Sequence, residues 1–233
     1  MDYNTFKTEI YNTCIALFKE GIGKYNYFVQ NGEYDKQLSI IPTREEYTVN
    51  SRYLHRGYYC PSPLLDDLVD NTRKGKLHCG ATKRKKISHR YLFNAEDKLY
   101  LVENYTPNMS NISREFIWGV PNKRFGLFFD YDDVSTLSAI SIEIFVNDKL
   151  QSYMYASCRI SASEGSSYRF KDIHFHFAYY ETYMYNEDAI VQWDFSHVMT
   201  LKGYEASRLV QHNRYLPIYE NGQVVSFEHV KLK

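Results

Sequence analysis

The 233-residue chain has no excess charge of either sign, because its 28 lysines and arginines balance 28 aspartates and glutamates. This balance argues against a general coat for nucleic acid or membranes. The chain also lacks any apolar run near the roughly 18 residues that a spanning helix needs. Its start shows no secretory signal, and its four cysteines form no C-x-x-C pair, as expected of reduced thiols. These absences predict a cytoplasmic protein that does not bind a membrane.

Signature motifs of common enzyme classes are missing as well. The sequence contains no G-x-x-x-x-G-K-S/T phosphate loop, no G-x-G-x-x-G turn and no G-x-S-x-G elbow. It also contains no H-E-x-x-H zinc motif and no P-C-x-x-C deaminase motif. We therefore predict a protein without catalytic residues and without a cofactor.

What is present is the composition of a globular protein, with 44% hydrophobic and 24% charged residues. A chain of this length can bury a core without disulfides or a metal. No linker rich in glycine, serine or proline interrupts it, so we predict a single domain over residues 1–233. Residues 1–90 are expected to contain helices, with a separate N-terminal lobe as the alternative, and residues 91–233 are expected to form an antiparallel sheet.

Three segments carry helix signals. Apolar residues recur every three or four positions from Tyr3 to Phe18, and Gly21 and Gly23 would end this first helix. A second helix is predicted over residues 62–69, where Ser62 and Pro63 suit the first turn. A weaker pattern predicts a third over residues 203–210.

Most of the remaining chain has strand patterns. Ile140, Ile142 and Ile144 alternate with Ser141 and Glu143, the period of a strand with one buried face. An aromatic residue, a short Asn/Asp/Glu/Gly turn and an aliphatic residue recur from positions 93, 145, 185 and 219. The irregular spacing excludes a solenoid or propeller. We predict an α+β fold, in which a meandering antiparallel sheet packs an N-terminal helix and one or two further helices on one side and leaves its other face partly wet.

Tyrosine is unusually frequent, with 23 residues. Some of these rings would simply pack within the sheet, but tyrosine is also favoured at protein interfaces. When two tyrosines are two residues apart on a strand, both rings lie on the same face of the sheet. Two such pairs, together with acidic residues in loops and turns, are our predicted protein-binding set: Asp130, Asp132, Asp133, Tyr153, Tyr155, Tyr183, Tyr185, Glu187 and Asp188.

A basic segment offers another interpretation. Residues 73–90 contain eight lysines and arginines and no acidic residue. Such a run binds a phosphate backbone, steers an acidic protein or is merely a solvated loop, and the sequence leaves these alternatives open. The residues predicted to contact a polyanion are Lys83, Arg84, Lys85, Lys86 and Arg90.

A histidine-rich strand is a candidate metal site. Asp172, His174 and His176 share one face at period two and would supply three ligands. A fourth would come from elsewhere, with His197 and Glu181 nearest in sequence. The other interpretation is a polar face opposite a buried apolar one.

The opening helix, the Asn/Asp-turn hairpins and the tyrosine-rich strands with uneven charge resemble bacterial immunity proteins that neutralise toxins. The resemblance covers most of the chain and transfers no site residue. It implies a non-enzymatic cytosolic protein that binds a toxin or effector and occludes its active site. The alternative function is nucleic-acid binding, or metal-dependent nucleic-acid cleavage, by the basic 73–90 segment and the His174/His176 strand.

Overall fold

The computed structural model describes residues 3–51, 55–65, 73–79, 87–105, 112–130, 136–161, 175–200 and 208–230, and the statements below concern these residues. Within them, no helix is both long and apolar enough to cross a membrane.

Twelve antiparallel strands in one sheet make up most of the described chain. In chain order they are β1 (Arg44–Val49), β2 (Lys76–Cys79), β3 (Ile87–Phe93), β4 (Leu99–Tyr105), β5 (Ile112–Val120), β6 (Lys123–Phe129), β7 (Thr136–Val146), β8 (Lys149–Ser161), β9 (Phe177–Asn186), β10 (Ala189–Thr200), β11 (Arg208–Glu220) and β12 (Gln223–Val230). From β3 onward each strand pairs with the next, whereas β1 lies between β2 and β3. The predicted antiparallel meander is confirmed. Residues 1–90 contribute β1, β2 and the start of β3 to this same sheet.

A long helix, α1 (Tyr3–Gln30), crosses one face of the sheet. The ring of Phe6 lies 4.7 Å from that of His212 on β11, and the ring of Phe28 lies 5.2 Å from that of Phe116 on β5. The prediction that Gly21 and Gly23 end the helix was wrong. A Cβ at Gly21 would come within 2.5 Å of the Ile140 side chain, so this glycine lets α1 approach β7 closely. The buried face also continues beyond it to Phe28.

Beyond α1, the structure describes one short α-helix and only parts of the second and third predicted helices. Gly32, at φ +60°, joins α1 to a second, short helix, α2 (Glu33–Leu38). Residues 66–69 of the predicted second helix and 203–207 of the predicted third lie outside the described residues. The end of the third prediction is corrected, because residues 208–210 belong to β11. Val210 pairs with Val198 on β10 and is buried in the core.

The tight turns contain the residue types that the sequence predicts for them. Asn147 and Asp148 join β7 to β8 with φ of 51° and 61°, and Asn221 and Gly222 join β11 to β12 with φ of 50° and 77°. Glu187, at φ 51°, lies in the turn between β9 and β10. Asparagine, aspartate and glycine tolerate this left-handed backbone best. The hairpins predicted at 93, 145, 185 and 219 are confirmed.

The helix face of the sheet is covered by α1, and the centre of the opposite face is covered by residues 55–65. The helix face packs against α1 through a core that includes Leu127, Ile140 and Met154. The opposite face lies under residues 55–65, here called the crossing segment, so we call it the segment face. The centre of the segment face is buried, because Glu115 is only 1% exposed and Glu143 only 2%. Tyr155 and Tyr179 on the same face are partly exposed, so the face as a whole is partly wet, as predicted.

Candidate functional site

The crossing segment is fixed to the segment face at points spread over seven strands. At one end, the Tyr91 hydroxyl donates to the Arg56 carbonyl at 2.9 Å and accepts from the Tyr58 amide at 3.0 Å. At the other end, Ser62 donates to Glu181 on β9 at 2.6 Å. The segment therefore runs across the sheet from β3 to β9, on the side away from α1.

Arg56 is the central anchor of this segment. Its Nε and Nη2 donate to the two oxygens of Glu115 at 3.0 and 2.8 Å, and its Nη1 donates to Glu143 at 2.5 Å. Nη2 also donates to the Ser141 hydroxyl at 2.9 Å. Arg124 donates to the second oxygen of Glu143 at 2.9 Å. One guanidinium thus bridges β5 and β7, with the planar fork that suits carboxylates.

A glycine on the strand between them makes room for this contact. Gly126 on β6 faces the same side, because it pairs with Ser141 on β7 and Ile117 on β5. A Cβ there would lie 2.0 Å from Glu115 Oε1, 2.3 Å from Ser141 Oγ and 2.7 Å from Arg56 Nη2. The ion-pair cluster therefore needs glycine at this position.

His55 extends the cluster towards β8. Its Nε2 lies 2.8 Å from Glu115 Oε2, and its Nδ1 lies 2.6 Å from the Tyr153 hydroxyl. Burial disfavours the charged form of Glu115, but Arg56 and His55 outweigh it and hold the pKa of this carboxyl well below its usual range.

A second buried carboxylate lies further along the segment. Glu181 accepts hydrogen bonds at one oxygen from the Ser62 hydroxyl at 2.6 Å, the Tyr183 hydroxyl at 2.5 Å and the Trp193 indole at 2.8 Å. It has no cation partner among these contacts. Burial therefore dominates and raises its pKa to about 7, although the three donors favour the charged form.

These two clusters are arranged to hold the fold together. Glu115, Glu143 and Glu181 are buried, and every oxygen of Glu115 and Glu143 already has a partner. A solvated ligand does not reach carboxylates in this state. What the clusters do is fix the crossing segment, and hence the shape of the segment face.

Beside the segment lies a contiguous group of partly exposed rings, here called the aromatic patch: Tyr155, Phe177, Tyr179, Phe195 and His197. Tyr155 pairs with Tyr179, and Tyr179 with His197, so these rings share the segment face. The Tyr179 ring lies 5.4 to 5.5 Å from those of Phe177 and Phe195 and 5.1 Å from His197. The patch joins the buried clusters, because His55 lies 4.7 Å from the Tyr155 ring.

The structure separates the residues of the predicted protein-binding set. Tyr153 and Tyr183 are only 3% and 2% exposed, so they are core residues. Tyr155 belongs to the aromatic patch. Tyr185 is half-buried and donates to the Leu150 carbonyl at 2.9 Å.

The acidic members of that set lie at opposite ends of the strands. Glu187 and Asp188 are exposed in the turn between β9 and β10. This turn is about 26 Å from Tyr179, at 3.3 Å for each of eight residues. Asp130 follows β6 at the other end, within electrostatic reach of Tyr155. Asp132 and Asp133 lie outside the described residues.

Few of the polyanion and metal candidates are described. Lys83, Arg84, Lys85 and Lys86, together with Asp172 and His174, lie outside the described residues. Arg90 forms ion pairs with Glu45 at 2.7 Å and with Glu103 at 3.1 Å. His176 is exposed just before β9. Where the structure does describe the chain, no group of three or more His, Cys, Asp or Glu side chains is placed to hold a metal ion.

Sequence reasoning missed the anchors of the crossing segment. No local pattern marks Arg56, and the alternation with the flanking isoleucines places Glu143 only on the strand face opposite them. One signal was available: a glutamate at the centre of an otherwise apolar strand, as Glu115 is beside Phe116 and Ile117, requires a partner when buried. The local sequence pattern does not identify that partner.

Comparisons with protein-family models, curated proteins and solved structures found no match.

Proposed function

We propose that this protein is a non-catalytic binding protein, and that it neutralises a toxin or effector protein by docking on it and occluding its active site. The observation that carries the proposal is the aromatic patch. Five partly exposed rings on three adjacent strands form one surface. Aromatic residues with well-packed surroundings contribute most of the binding energy at protein interfaces.

The packing beneath the patch supports a preformed binding surface. Tyr155 is held against His55, which is itself fixed by Glu115 and Tyr153. A side chain that is ordered before binding loses less conformational entropy on binding, and this loss costs roughly 0.5–1.5 kcal/mol for each mobile side chain. The buried ion pairs therefore contribute to affinity indirectly, because they keep the rings in place.

Charge near the patch is consistent with a basic partner. Asp130 lies within electrostatic reach of Tyr155. An acidic group at the rim of an interface accelerates association with a positively charged protein. Toxins that act on nucleic acids commonly carry such a charge, which makes them the class of partner that we favour.

The nucleic-acid alternative fits the geometry less well. Aromatic rings also stack on bases, but such sites pair the rings with cations that follow the backbone. The described flanks of the basic segment are β2 and the start of β3, and β3 lies five strand positions from β8. At about 4.8 Å between strands this is roughly 24 Å. The rings and the flanks of the basic segment therefore do not lie together in one site.

The proposal is tested by measuring the affinity for a candidate toxin, one encoded by a gene next to that of this protein. The dissociation constant is compared between wild type and two tyrosine variants. Tyr179→Ala removes the central ring of the patch. Tyr27→Ala is the matched control, because Tyr27 is 61% exposed on α1. We expect Tyr179→Ala to weaken binding by about 30-fold, as for a hot-spot residue worth ~2 kcal/mol, and Tyr27→Ala to have no effect. Equal affinities of the two variants would contradict the proposal. Binding of RNA or DNA that falls steeply with salt would favour the alternative function.

A further inference from the structure

The two edges of the sheet differ in how they are protected. β2 has only four residues and begins with Lys76. β12 has eight residues, most of them exposed, and among these eight Glu228 is the only aspartate, glutamate, lysine or arginine. Natural proteins usually protect a long edge strand with charges or cover it, because its free N–H and C=O groups pair with other strands. β12 therefore has the properties of an edge that is paired in the working protein.

The side chains at this edge indicate what pairs with it. On the segment face, the ring of Trp193 on β10 lies 5.3 Å from that of Tyr215 on β11. Tyr215 in turn lies 5.2 Å from His229, its register partner on β12, and 6.1 Å from Phe227 on the same strand. The row of rings ends on β12, where Phe227 is partly exposed and His229 exposed at the sheet edge. An apolar or aromatic side chain on an added strand would continue it.

We propose that β12 pairs with β12 of a second copy of this chain, antiparallel and centred on Phe227. A two-fold axis through Phe227 places the two Phe227 rings side by side and continues the aromatic row into the second subunit. It also places Glu228 of each chain opposite Ser226 of the other, so no like charges face each other.

The other features of the strand agree with a closed pair. The irregularity between β11 and β12 falls next to the turn, at Ile218/Tyr219, which leaves Ser226 to Val230 in regular register with β11. If β12 paired instead with β2 of another copy, the paired stretch would be at most the four residues of β2. Such a contact joins two different edges, so it would add copy after copy in an open-ended assembly. A two-fold contact uses the same strand twice and closes the assembly as a dimer.

Two opposite substitutions at one exposed position test both the dimer and its register. In the proposed register, Ser226→Lys places a lysine opposite Glu228 of the second copy and strengthens the dimer. Ser226→Glu places two glutamates opposite each other and weakens it. Each contact occurs twice, so we expect changes of about 2- to 30-fold in the dimer dissociation constant in each direction.

Analytical ultracentrifugation over a concentration series measures these constants, with circular dichroism as the check on folding. A wild-type protein that stays monomeric at every concentration would overturn the proposal. So would a dimer that neither variant affects, because it would form through another surface. Weakening by both variants would overturn the Phe227-centred register, since it indicates that position 226 faces itself.

Discussion

The Glu181 carboxyl gives the sharpest test of the buried architecture. Its pKa is about 7 in the folded protein, against an ordinary value of 4.5, because burial penalises its charge. The folded state therefore holds this proton more tightly than the unfolded chain does. The stabilisation from the proton is complete below pH 4.5, is lost as the pH rises towards 7, and changes no further above that.

The size of this effect follows from the pKa difference. A shift of about 2.5 pKa units at ~1.4 kcal/mol per unit is about 3 kcal/mol. Glu181→Gln removes the ionisation and keeps an oxygen that accepts from Ser62, Tyr183 and Trp193. We expect this variant to match wild type near pH 4.5 and to exceed its free energy of unfolding by about 3 kcal/mol at pH 8.

Urea unfolding at pH 4.5, 6 and 8 measures the difference. Glu187→Gln, in the exposed turn between β9 and β10, is the matched control and should leave the pH dependence unchanged. Indole fluorescence adds an independent readout, because Trp193 donates directly to Glu181 at 2.8 Å. A Glu181→Gln variant that is less stable than wild type at pH 8 would contradict a buried, protonated Glu181. The same holds if the variant and wild type lose free energy of unfolding equally as the pH rises.

Two further substitutions address the Arg56 cluster. Arg56→Met should lower the free energy of unfolding by about 3–5 kcal/mol, because it leaves Glu115 and Glu143 buried without their shared cation; urea unfolding measures this, and a loss below 1 kcal/mol would contradict it. Gly126→Ala should cost about 1–3 kcal/mol because its Cβ would overlap the cluster. Gly23→Ala, in open space on α1, should instead add roughly 0.5–1 kcal/mol, and equal effects of the two would refute the steric argument.

The local parts of the fold were predictable from the sequence. Turns such as Asn147-Asp148 and Asn221-Gly222 carry their own backbone preference, and the alternation around Ile140 marks a strand without reference to the rest of the chain. The length of α1 was not predictable in this way. Gly21 has the propensity of a helix end, and only the close approach of Ile140 explains why the helix continues through it.

The buried clusters were beyond sequence reasoning for a related reason. Arg56 contacts Glu115 and Glu143 across 59 and 87 residues of chain, so no local pattern links the three. The same holds for the aromatic patch. Tyr155 was predicted to be available because of its spacing, but the same spacing also selected Tyr153, which the crossing segment buries. Which of two adjacent rings stays exposed depends on what covers the sheet.

Occlusion of the toxin's active site is tested most directly by titrating the candidate toxin's catalytic rate with this protein. We expect stoichiometric, saturable loss of toxin activity with wild type and with Tyr27→Ala, and a titration curve shifted to higher protein concentration with Tyr179→Ala. A toxin that stays fully active when wild type is bound would contradict occlusion. Catalytic turnover of a substrate by this protein itself would contradict the claim that it acts by binding alone.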